Sequence, residues 1–188
     1  MRLAIADPPY LGRASLWYGG GQHPHYGTPG RAKGRTVADR EWHPDAAQWD
    51  DPERHMALMT DLDLHWDGWA MAASAKTLSE LLPHADLLGT RCGIWHVTNA
   101  IPDGARVRST WEALLFRVPD SRRAASTGMR VPDMFQAPHP QSGFVGAKPD
   151  QWVTWVLDLL GYDPAEDTVD DLFPGSGAVS RVIAGRLL

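Results

Sequence analysis

The sequence predicts an α/β protein, a sheet of buried strands with helices on both faces, in a single domain spanning residues 1–188. Three observations point there. A short continuous apolar run, Leu3-Ala4-Ile5-Ala6, ends abruptly at Asp7-Pro8-Pro9-Tyr10, which suits a strand buried on both faces as in a parallel sheet. Near the other end, residues 168–173 read as a short strand, Pro174-Gly175-Ser176-Gly177 as a tight turn, and residues 178–184 as the apolar start of a helix. Between these two segments strand and helix signals alternate, which favours one mixed unit over separate all-α or all-β parts.

Taken in order, the first strand stops where Pro8 and Pro9 remove two backbone donors and Pro8 holds Asp7 extended. The product is a rigid turn at the carboxyl end of a strand, the place where open α/β sheets bind ligands. It carries one carboxylate, carbonyl groups able to accept, and one aromatic ring. Residues 11–50 follow without periodicity and read as a long loop or lid, rich in Gly, Pro, His and aromatic residues. Residues 11–38 hold Arg13, Arg31, Lys33 and Arg35 and no acid. With Trp17 and Tyr18 these are candidate contacts to the phosphates and bases of a nucleic acid, although a disordered insertion has the same composition. His23, His25 and His43 lack a further ligand at fixed spacing, so no metal site is expected.

Asp51-Pro52-Glu53-Arg54 opens a helix with an N-cap, a proline in the first turn and an acid near the positive end of the dipole. Residues 68–73 form a second buried strand, and residues 76–82 a short helix stopped by Pro83. Residues 85–88 fit a helix edge or a strand, and 93–97 and 111–118 are strands. Residues 119–149 return to loop composition, with Pro119, Pro132, Pro138, Pro140 and Pro149. Residues 150–160 have apolar side chains at helical spacing, ended by Gly161 as the C′ residue; Trp152 and Trp155 read as core.

Composition excludes several classes. At 43% hydrophobic the chain is an ordinary globular protein, with no apolar run of membrane-spanning length and no basic-plus-apolar leader. The single cysteine, Cys92, makes neither an intrachain disulfide nor a cysteine metal cluster, and the expected compartment is the cytoplasm. A net charge of −5 argues against nonspecific coating of nucleic acid, but the basic segments at 11–38 and 104–130 remain local exceptions on an acidic body.

The motifs resemble one family. Asp7-Pro8-Pro9-Tyr10 looks like the D-P-P-Y catalytic motif of S-adenosylmethionine-dependent amino methyltransferases that modify adenine N6 or cytosine N4 in DNA. Asp171-Leu-Phe173-Pro-Gly175-Ser-Gly177 resembles their D-x-F-x-G-x-G cofactor motif, and Lys148-Pro149 their Lys-Pro signature. A G-x-G alone is equally an ordinary turn, and this one lacks the third glycine of a dinucleotide fingerprint and the Lys-Ser/Thr of a P-loop. The order, catalytic motif first, looks like the permuted beta-type class. The resemblance implies a Rossmann-like methyltransferase sheet, S-adenosylmethionine as cofactor and DNA as partner. It further implies that Phe173, Gly175, Ser176 and Gly177 shape the cofactor pocket, that Asp171 faces the methionine ammonium, and that Lys148 and Phe144 lie beside the methionine end. Asp7, the carbonyl of Pro8, Pro9 in the same turn and the Tyr10 ring would hold the target base, with Asp at the first position favouring adenine N6. Cytosine, RNA or a protein amide as target, and a catalytically silent subunit of the same fold, stay open.

The chain also departs from the pattern. The last residue, Leu188, lies eleven positions after Gly177, so the sheet is expected to be truncated after the cofactor-loop helix, without the usual ribose-binding acid. Val182, Ile183, Leu187 and Leu188 then form an apolar end, for which a homodimer or a second subunit is the expected cover.

Overall fold

The computed structural model describes residues 1–18, 45–100, 106–124, 126–140 and 146–186, apart from the side chains of Leu16 and Trp17. In chain order the elements are β1 (Arg2–Ala6), α1 (Ala14–Tyr18), a 3-10 turn (Ala46–Asp50), α2 (Pro52–His65), β2 (Gly68–Ser74), α3 (Leu78–Leu87) and β3 (Arg91–Val97). They continue with β4 (Trp111–Arg117), a second 3-10 turn (Asp120–Arg122), β5 (Met134–Ala137), α4 (Asp150–Leu160), β6 (Thr168–Asp171) and α5 (Ala178–Arg186). One six-stranded sheet takes them in the order β5-β3-β4-β2-β1-β6.

β1 is buried on both faces, as its unbroken apolar run requires. Leu3, Ala4, Ile5 and Ala6 are each no more than 1% exposed. Successive side chains of a strand point to opposite faces. Leu3 and Ile5 join a core built with Trp152, Val153, Val156 and Leu160 of α4 and Ala178 and Val179 of α5. Ala4 and Ala6 join the other, with Met59 and Leu62 of α2 and Leu78, Leu81 and Ala85 of α3. Helices therefore cover both faces, and Trp152 and Trp155 are core residues. Gly93 in β3 makes room for the second of them: a Cβ there would stand 3.1 Å from the Trp155 ring.

Local chemistry explains the helix ends. Asp51 caps α2 by accepting the N–H of Glu53, with Pro52 at the first position. α4 ends at Gly161, which is left-handed at φ +70°, and Tyr162 N–H donates to Leu157 O while Gly161 N–H donates to Asp158 O. No helix among the described residues is long and apolar enough to cross a membrane.

Four expectations change. The sheet is mixed, because β4 runs antiparallel to both β2 and β3. No helix separates β3 from β4 among the described residues, and a return without a crossover pairs strands antiparallel. Pro83 lies inside α3 and does not stop it, so residues 85–87 are helix. Both Pro83 and Ser79, whose carbonyl loses its i+4 donor, are exposed residues, so the proline sits on the solvent side of the helix. The 119–149 stretch contains β5, which pairs with β3. The 11–50 stretch begins with α1 and ends in a 3-10 turn, and the Asp50 carboxylate joins its two ends by accepting the N–H groups of Ala14 and Ser15, both at 2.9 Å.

Candidate active site

β1 and β6 run parallel and side by side, with Ile5 opposite Asp171, and Leu172 N–H donates to Ile5 O at 3.0 Å. The turn after β1 and the turn after β6 therefore stand next to each other at the same end of the sheet. The chain leaving β1 goes on to α2 on one face, and the chain leaving β6 goes to α5 on the other. That divergence makes a switch point at the carboxyl ends of adjacent strands, the position where doubly wound sheets offer a crevice for ligands. D-P-P-Y lines one side of it and the 171–177 turn the other.

A charged cluster fills the β1 side. Lys148 Nζ donates to both oxygens of Asp7, at 2.7 and 2.8 Å, and to Gly146 O at 3.1 Å. The same nitrogen lies 3.7 Å from Oε2 of Glu112, on β4. Tyr10 donates its hydroxyl to that oxygen, and His139 Nε2 is 3.3 Å from Oε1. Exposure of the three charged side chains is low: 6% for Lys148, 25% for Asp7 and 18% for Glu112. Burial pushes the Asp7 carboxyl above its ordinary value, and the Lys148 ammonium pulls against this without cancelling it. Burial alone would raise Glu112 too, but Lys148, His139 and Tyr10 together hold it below the usual range. For Lys148 burial opposes the charge, and Asp7 and Glu112 more than restore it, so its pKa is raised and the ammonium persists.

The β6 side holds a carboxylate with spare capacity. Asp171 Oδ1 accepts the Phe173 N–H at 3.3 Å, while Oδ2 is buried with no hydrogen-bond partner among the described residues. Burial accordingly raises the Asp171 carboxyl, against the bond from Phe173. A buried acceptor left open is costly unless a ligand cation or donor meets it. Beyond it Gly175 and Gly177 have φ of +40° and +72°, which an L side chain adopts only with strain, so the turn keeps its backbone bare. The Phe173 ring meets Trp49 edge to face, centroids 5.2 Å apart. Ser176 offers its carbonyl to Arg181 at 2.6 Å.

Asp7, Pro8, Pro9, Tyr10, Lys148, Asp171, Phe173, Ser176 and both glycines thus come to one end of the sheet. The Tyr10 ring, expected as a stacking surface, is only 9% exposed and carries the Lys148 ammonium 5.1 Å from its centroid. Tyr18 reaches the same neighbourhood, since its hydroxyl lies 3.1 Å from where a Cβ on Gly146 would stand. Arg13 is half-buried, and its N–H closes the turn onto Tyr10 O at 2.9 Å. Phe144, Arg31, Lys33, Arg35 and the three loop histidines lie outside the described residues, as do the Trp17 side chain, Leu187 and Leu188. Val182 and Ile183, assigned to an uncovered apolar end, pack partly buried against the α4 core. Sequence reasoning missed Glu112, His139 and Trp49. A signal existed for the first alone: an acid as second residue of a strand that is otherwise apolar up to its closing arginine, Trp-Glu-Ala-Leu-Leu-Phe-Arg.

No protein-family model matches the chain, and neither does any curated protein. Among solved structures it is similar to M1.HpyAVI in complex with SAM, at 15% identity over 98% of this chain and 78% of that one, with a TM-score of 0.49. It is also similar to TTHA0409 of Thermus thermophilus, assigned as a DNA modification methylase. That likeness is 13% identity over 95% of this chain and 74% of that one, with a TM-score of 0.47. A SAM complex of TTHA0409 gives 13% identity, 95% and 73% coverage, and a TM-score of 0.46. At these values no residue role is transferred from either protein.

Proposed function

We propose that the chain is an S-adenosylmethionine-dependent methyltransferase acting on the exocyclic amine of a base in DNA, with adenine N6 as the favoured target. The observation that carries the reading is the parallel pairing of β1 with β6, which sets Asp7 and Asp171 on the two sides of one crevice. The open, buried Oδ2 of Asp171 suits the ammonium of the cofactor's methionine part, and the bare turn at Gly175 and Gly177 suits close approach of its adenosine. Bound there, S-adenosylmethionine supplies a methyl group activated on a sulfonium.

An aromatic amine is a poor nucleophile because its lone pair is delocalised into the ring. Asp7 and the Pro8 carbonyl accept its two N–H groups, favour the tetrahedral nitrogen and aim the lone pair at the methyl carbon. This is orientation and electrostatic preorganisation. Burial, which raises the Asp7 carboxyl, also makes it the better acceptor of the proton the amine loses. A base in a duplex must first leave the stack. The basic residues at 11–38 are the proposed phosphate contacts.

Incubation with labelled S-adenosylmethionine and unmethylated DNA, followed by nucleoside analysis, tests the reading. Label in N6-methyladenine supports it, label in N4-methylcytosine moves the target base, and label in RNA or protein alone contradicts the DNA assignment. A second reading, a subunit that binds the cofactor without turnover, draws on one observation: both oxygens of Asp7 are engaged by Lys148. An assembly in which another copy or subunit covers the edge strand β6 belongs to the same proposal. Light scattering at micromolar concentration tests it, and a monomer with tight cofactor binding counts against it.

A further inference from the structure

We infer that Glu112 is a positioning residue, the second carboxylate that takes over the Lys148 ammonium when Asp7 turns to the target amine. The inference rests on the methyltransferase reading above. As it stands, Lys148 occupies the very oxygens that must accept the amine's N–H, and its charge opposes the positive nitrogen that develops during alkylation. Lys148 is 6% exposed, so an ammonium released by Asp7 would be left buried and unpaired, at high cost, unless another carboxylate takes it. Glu112 Oε2 lies 3.7 Å from the same nitrogen, beyond hydrogen-bond distance but within a small torsional shift. Glu112 is itself held by the Tyr10 hydroxyl on that same oxygen, by His139 at Oε1, and by its place on β4 opposite Trp95 and Ser74. A cation moving from Asp7 to Glu112 stays paired throughout. The transfer then balances: the nitrogen–carbon bond forms as the carbon–sulfur bond breaks, and the aminium proton passes to an Asp7 lone pair that Lys148 has vacated.

The test measures kcat and KM for methyl transfer in wild type, Glu112→Gln, Lys148→Met, the double variant and Tyr10→Phe. The cofactor-induced rise in melting temperature is followed in each. Glu112→Gln is expected to lower kcat about tenfold with KM for DNA little changed, because the loss falls within the bound complex. In the Lys148→Met background the same substitution is expected to cost nothing further, since the ion it serves is gone. Glu112→Asp, which keeps the charge one methylene further back, should retain an intermediate kcat, and the same cycle can be run on it if the Gln variant does not fold. Equal penalties in both backgrounds would overturn the inference. So would a Tyr10→Phe loss as large as that of Glu112→Gln, which would assign the effect to the tyrosine. Additive penalties with the melting shift intact would remove this role for Glu112 alone; absence of any shift in wild type would contradict the cofactor reading itself.

Discussion

Tyr10 illustrates how a residue's role changes once its neighbours are known. Four contiguous letters, Asp7-Pro8-Pro9-Tyr10, make the turn legible in the sequence, and a stacking ring at its end is a natural expectation. The structure adds a hydroxyl bonded to Glu112, 102 positions away in the chain, and no local pattern announces such a partner. Tyr10→Phe should therefore destabilise the protein by about 1 to 3 kcal/mol, the cost of leaving a half-buried acceptor short of one donor. Urea unfolding measures this, and an unchanged midpoint would show that the bond is of no consequence to the fold. Asp171 and Phe173 were legible for the same reason as Asp7: they belong to short contiguous motifs at strand ends. Glu112 stands out as an acid in an apolar run, but its partners, like the part played by His139, emerge only when β4 and the 138–140 segment meet.

Elements were legible where one strong local cause dominated. The Asp51 cap with Pro52, the apolar spacing of α4 and the left-handed Gly161 are such causes, and α2 and α4 form where they predict. β5 was not legible: Met134–Ala137 is four residues among prolines, and it is a strand because β3 offers it an edge. The start of β6 depends on a tertiary anchor too. Asp167 precedes it, fully covered, and accepts from Arg122, from the Asp163 N–H at 2.8 Å and from the Met1 amino group at 2.7 Å. Burial alone would raise this carboxyl, but Arg122 and the other donors bring it down to about 2 from 3.8. A depressed folded-state pKa contributes stability that is present above the unfolded value and is lost as pH falls through the folded one. Asp167 should thus contribute up to about 2 kcal/mol above pH 4, draining away towards pH 2. Melting temperatures of wild type and Asp167→Asn should differ at pH 6 and converge as the pH is lowered. A constant gap would place its value in packing instead.

At the scale of the molecule, β1 decides both stability and site. It supplies side chains to both cores and carries Asp7 at its end. Leu3→Ala removes a fully buried side chain between β1 and α4 and should cost about 2 to 5 kcal/mol, read from the unfolding midpoint. The α/β class was legible because a strand buried on both faces has few other homes. The antiparallel β4 was not, because the direction of a strand leaves no mark on its composition. That strand delivers Glu112 to the site. The central claim is that the crevice at the carboxyl ends of β1 and β6 binds S-adenosylmethionine beside a carboxylate that orients an amine. Its most direct test is methyl incorporation into unmethylated DNA by wild type and Asp7→Ala, with the cofactor-induced melting shift followed in both. The account predicts label in the wild-type reaction, a loss of at least about a hundredfold in Asp7→Ala, and a melting shift kept by both. Full activity in Asp7→Ala, or a wild type whose melting curve ignores the cofactor, would contradict it.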